Sequence, residues 1–157
     1  MQTFKKNERL GNYRLRQLLF ERGRRFFYYP FRVFYLCFPR DELSMRLFGE
    51  YIPPSARFHY PAKVLVGTSR RSFARANQRN RVKRIVKEAY RKNKKDFYSF
   101  VDKKQARCLL GFIYVGREMP EYSDMMLLMP DLLAGIAQRI DKEGLDHIGG
   151  SRQKKDK

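Results

Sequence analysis

The chain has 157 residues, 43% of them hydrophobic, with 13 Phe and 10 Tyr, enough to build one domain around a full core. Its 35 Lys and Arg outnumber 16 Asp and Glu, and a formal net charge of +19 is far more than solubility requires and draws a protein to polyanions. No apolar run approaches the roughly 20 residues of a bilayer-spanning helix, so a membrane partner is not expected.

Residues 1–9 are charged and polar, without a signal-peptide or lipidation pattern, and 4–9 read as a basic arm. The spacing predicts a helix over 12–22, with Asn12 as N-cap and Gly23 as its stop. Leu15, Leu18 and Leu19 form its core stripe. Tyr13, Arg16 and Phe20 form a second stripe at i, i+3 and i+7, open to two readings: lateral packing or a binding surface. Residues 24–29 and 31–38, rich in aromatic and β-branched side chains, predict two strands divided by Pro30. In the second, Arg32 and Phe34 share one face, Val33 and Tyr35 the other. Residues 39–61, broken by Gly49 and Pro53-Pro54, predict a long loop with at most one helical turn, read as a tolerated surface insertion. A short buried strand follows over 62–68, then a basic loop over 69–76 holding Arg70, Arg71 and Arg75.

The most informative segment is a helix predicted over 77–95. Val82, Ile85, Val86 and Ala89 fall on one side of it at helical spacing, while Asn80, Lys83, Arg84, Lys87, Arg91 and Lys94 fall in a narrow arc on the other. Like charges at i,i+4 repel by a few tenths of a kcal/mol per pair, so a stripe of five cations and one amide implies a compensating polyanion. The stripe suits phosphate contact better than base reading, which disfavours a DNA-binding role. Its β-branched apolar face lacks Trp and Phe anchors, which disfavours a membrane surface.

A fourth strand is predicted over 107–115 and a turn over 118–123. Residues 125–129 and 131–140 read as helical, with Pro130 at a first turn or a kink, and with Met125, Met126, Leu128, Leu132, Leu133, Ile136 and Ile140 facing inward. Residues 149–157 read as a disordered basic tail, leaving 1–148 as the single domain. Cys37 and Cys108 sit in apolar runs and read as buried thiols, which fits the cytoplasm. His59 and His147 lie far apart, the carboxylates are scattered, and no metal-ligand spacing or phosphate-cradling glycine loop occurs. No protein-borne catalytic residues are therefore expected.

The order helix, three strands, helix, strand, helix predicts an α/β (α+β) two-layer sandwich: a mixed four-stranded sheet with about three helices on one side.

Phe4-Lys5-Lys6 followed by Arg9-Leu10, the helix ending at Gly23, the strand 31–36, and Ser69-Arg70-Arg71 running into Arg79-Asn80-Arg81-Val82-Lys83-Arg84 resemble the protein subunit of bacterial ribonuclease P, across residues 4–115. The resemblance implies a ribosomal-protein-S5-domain-2-like fold with a left-handed βαβ crossover. It implies an accessory of an endoribonuclease whose catalytic RNA, with its Mg2+ ions, removes the 5′ leader of precursor tRNA. Arg79, Asn80, Arg81, Lys83 and Arg84 would contact that RNA, joined by Lys87 and by Arg70, Arg71 and Arg75 of the basic loop. Arg70 and Arg71 stand where the family has a lysine pair. The leader would lie against Tyr13, Arg16, Phe20, Arg32 and Phe34. Arg16 departs from the family, which often has an aromatic there, and Phe34 stands where a tyrosine is common. The partners implied are ribonuclease P RNA and precursor tRNA, with no small-molecule cofactor. The alternative is a structural, ribosome-associated RNA-binding protein with no processing role.

Overall fold

The structure, a computed structural model, describes residues 4–42, 48 and 51–146. Helix α1 (Tyr13–Arg22) begins where Asn12 Oδ1 accepts the Leu15 N–H at 3.0 Å, satisfying one of the free amides of a first turn. It ends at Gly23, where a Cβ would lie 2.3 Å from the Leu19 carbonyl oxygen, so only glycine lets the chain fold straight into a strand.

That strand, β1 (Arg24–Tyr28), pairs antiparallel with β2 (Phe31–Pro39). After the long connection come β3 (Ala62–Thr68), α2 (Ala76–Asn93), α3 (Lys95–Lys103), β4 (Ala106–Tyr114) and α4 (Tyr122–Glu143). The sheet order is β1-β2-β4-β3, with β4 antiparallel to β2 and parallel to β3. The mixed four-stranded sheet and the element types match the sequence reading.

The layering differs. On one face, Phe31, Val33, Tyr35, Val64, Val66, Leu110 and Phe112 pack with α2, α3 and α4. On the other, Phe34, Leu36, Phe38 and Leu109 pack with Leu10, Leu15, Leu18 and Leu19 around α1. The helices therefore cover both faces rather than one. The cause is visible in β2, whose two parities are both apolar apart from Arg32, as a strand buried on both sides must be.

The connection between β2 and β3 is not merely a surface insertion. Its turn at Pro54–Ala56 places fully buried Ala56 under α1, with Ile52 and Phe58 packed on the same cluster. Ser55 Oγ accepts from the Asn12 side chain at 2.9 Å, tying this connection to the start of α1.

One further difference concerns the helices: α3 is a fourth α-helix among the described residues, anchored by buried Phe97 and Val101. Of the two readings of the methionine-rich segment, the structure has the one in which a single helix continues through Pro130. Pro130 is exposed, and the helix runs on without the amide it lacks. Met129 joins the inward set and Leu127 is exposed. The expected tail 149–157 and His147 lie outside the described residues.

Candidate nucleic-acid interface

The N-terminal arm is held against the second βα unit. Leu10 N–H donates to the Val64 carbonyl at 2.9 Å, Arg9 bridges β3 at Val64, and Lys63 Nζ donates to the Asn7 carbonyl at 2.8 Å. Glu8 is fully buried and takes an ion pair from Lys94 and a hydrogen bond from the Tyr98 hydroxyl at 2.6 Å. Lys94 thus leaves the cationic stripe: it is committed to the arm and is no part of the polyanion surface.

The arm and α2 enclose a groove lined by Phe4, Arg9, Asn80, Lys83, Arg84 and Lys87. Burial, then the nearby charges of Arg9 and Lys83, push the Lys87 ammonium below its ordinary pKa. The carboxylate in this groove, Glu88, is held by Arg91 at 2.9 Å, and that hydrogen bond lowers its pKa. Cations gathered this closely repel one another, and a phosphate in the groove would relieve that repulsion.

The basic loop has its own frame. Ser69 Oγ accepts the Ser72 N–H at 3.1 Å, and Phe73 is buried against Tyr114. Arg79 donates to the carbonyls of Phe73 at 2.9 Å and Ala74 at 2.8 Å, so its guanidinium holds the loop to the first turn of α2. Arg70, Arg71 and Arg75 project into solvent around it. Arg81 is exposed on the flank of α2 and does not line the groove.

The residues foreseen for a leader site gather on the other face. Phe20 meets Phe34 edge-on, with ring centroids 4.9 Å apart. Phe34 is only 7% exposed, so it forms a floor rather than a free stacking surface. Arg32 is exposed two positions along the same face of β2, and Arg16 is half-buried on α1. Tyr13, 68% exposed, stands seven residues before Phe20, about 10 Å along the helix. The sequence reading missed Arg25, whose guanidinium lies 5.8 Å from the Phe34 ring centre, because only the β1–β2 register puts it there. Arg9 and Phe4 also become groove residues only in the structure, since the basic arm gives no sign in sequence of where it lies.

A family model described as Ribonuclease P matches residues 4–108. Proteins named ribonuclease P protein component from two strains of Porphyromonas gingivalis are each 32% identical over 127 residues, covering 81% of this chain and 81% of theirs. The chain belongs to the ribonuclease P protein family. The solved structure of the Staphylococcus aureus RNase P protein superposes with a TM-score of 0.54, covering 83% of this chain and 95% of that one, at 12% identity, and it shares the fold. Membership makes this chain a protein component of an endoribonuclease of tRNA processing, with an RNA partner in the holoenzyme, and disfavours the structural alternative.

Within that family setting, no three His, Cys, Asp or Glu side chains cluster for a metal among the described residues. Glu88, the acid nearest the cationic groove, is already engaged by Arg91. These side chains do not fit as an inner-shell magnesium site. No helix among the described residues is long and apolar enough to cross a membrane.

Proposed function

We propose that this protein binds the catalytic RNA of ribonuclease P through the groove between its arm and α2, and the 5′ leader of precursor tRNA through the flank of α1 and the adjoining sheet. The RNA subunit and its Mg2+ ions carry out the hydrolysis in the cytoplasm, and the protein supplies affinity and placement. The observation that supports this most strongly is the groove itself. Arg9, Lys83, Arg84 and Lys87 converge on one side of a packed helix, Lys87 is held below its usual pKa, and the neighbouring carboxylate is occupied. The expected contacts of Arg70, Arg71 and Arg75 extend that surface along the loop, and Arg79 acts there by holding the loop in place.

The test is cleavage of a precursor tRNA by a bacterial ribonuclease P RNA at low magnesium, with and without this protein. Cleavage at the mature 5′ end that requires the protein is the expected result. Tight RNA binding with no stimulation, on the cognate RNA, would refute a processing role.

A further inference from the structure

The strand register places a further aromatic on the leader face. Phe27 of β1 pairs with Arg32 of β2, Arg32 with Ile113 of β4, and Ile113 with Gly67 of β3. These four residues form one row across all four strands, roughly 14 Å long at three strand spacings. The row lies on the face that carries Phe34 and α1, because Phe34 and Arg32 are two apart on β2.

α1 covers only the neighbouring rows. Leu19 reaches toward Gly111 and Phe34, and Phe20 rests on Phe34. The row beyond stays open: Phe27 is 61% exposed, Arg32 is exposed, and Ile113 and Gly67 are half-buried. Gly67 keeps the floor low at the β3 end, where a Cβ would come 3.2 Å from Ile113. Past the end of β1, Tyr29 is 68% exposed with its ring centroid 6.2 Å from that of Phe27. The β3 end of the row leads directly into the basic loop.

We infer that Phe27 stacks on a base of the precursor tRNA leader, extending the groove from the Phe20–Phe34 contact to the edge strand. The inference rests on the leader reading of the α1 flank. The chemistry favours a single nucleic-acid strand over a protein or lipid occupant. The exposed ring sits opposite Arg32 in the strand pairing and two residues from Arg25 on the same face of β1, so a base can stack while its phosphates meet cations. A protein or lipid contact would need a contiguous apolar patch, which Arg32 interrupts.

The experiment measures binding of three RNAs to the holoenzyme formed by this chain and a bacterial ribonuclease P RNA: a precursor with a full leader, one trimmed to its last leader nucleotides, and mature tRNA. Phe27→Ala should weaken binding of the full-leader precursor by about 5-fold to 100-fold, as the loss of one stacked base implies. Phe27→Tyr should bind as the parent does. Mature tRNA should be unaffected, and the penalty should shrink for the trimmed leader. A full-leader affinity unchanged by Phe27→Ala but weakened by Phe20→Ala overturns this inference and leaves the leader site standing. If neither variant weakens it, both readings fall. An equal loss on mature tRNA would also overturn the role assigned to Phe27.

Discussion

Residues of one type in one stretch do different work here, and the side-chain partners separate them. Arg84 is exposed in the groove between arm and helix, whereas Arg79 spends its guanidinium on two loop carbonyls. Arg84→Ala should therefore weaken binding to ribonuclease P RNA, reduce the magnitude of the salt slope by about one unit, and leave the melting temperature unchanged. Arg79→Ala should lower stability by about 1 kcal/mol as well, because hydrogen bonds from a charged donor to the loop are lost. Affinity across a salt series and a thermal melt of each variant check this. A full salt slope in folded Arg84→Ala would remove that side chain from the phosphate contacts.

At the scale of elements, the C-terminal end of α4 and the residues after it are fastened to the first hairpin by two carboxylates, Glu143 and Asp146. Glu143 Oε1 accepts from Tyr35 Oη at 2.7 Å and from Arg24 Nη1 at 2.6 Å, while Arg24 also reaches Asp146. Asp146 N–H in turn donates to the Cys37 carbonyl, which β1 is too short to pair. Burial raises the Glu143 pKa, but the donors and the charges of Arg24 and Arg139 outweigh it, so the folded value lies below the unfolded one. Stability from this group is present above the unfolded value, near about 4.3, and is lost as pH falls through the folded value. Glu143→Gln should melt lower than the parent at neutral pH, and the two curves should converge on acidification. A constant gap down to the acid limb would assign the effect to packing.

The same scale shows what the sequence revealed. The ends of α1 were legible because Asn12 and Gly23 act locally, and the faces of α2 because Val82, Val86 and Ala89 repeat at helical spacing. The second layer was less so: Leu36 and Phe38 signal burial on both faces of β2, but not which helix supplies the cover. α3 carried a weak signal, Phe97 and Val101 four apart in a short charged segment. The groove cations were visible in the helix stripe, while on the other face the strand register alone puts Arg25 and Phe27 beside Phe34 and Arg32. The burial of Lys94 was not readable at all, since its partner Glu8 lies 86 residues away. The same polarity that placed Lys94 in the cationic arc also allows it to close a buried pair.

For the whole molecule, that pair joins the N-terminal arm, two helices and the cationic groove. Glu8 sits on the arm, Lys94 at the α2–α3 junction, Tyr98 on α3, and the Tyr98 hydroxyl lies 3.1 Å from that of fully buried Tyr90 on α2. Burial and these neighbours push the Tyr98 hydroxyl far above its ordinary pKa, so it remains a donor to Glu8 at any physiological pH. Glu8→Ala would leave the Lys94 ammonium buried without its carboxylate, a loss of about 3–5 kcal/mol visible in chemical denaturation. Adding Lys94→Met should restore most of that stability, since an apolar side chain of similar length fills the same space without a charge to desolvate. Affinity for the catalytic RNA should not return with it. Arg9 and Phe4 reach the groove because the arm is fixed on both sides of Glu8, and a chain with net charge +19 has no general electrostatic reason to lay a basic arm against a basic helix. The double variant, folded but weak in RNA binding, would show that the buried pair positions the arm. Parental affinity in that variant would mean that the Arg9–Val64 bridge and the Leu10 hydrogen bond are sufficient to hold it.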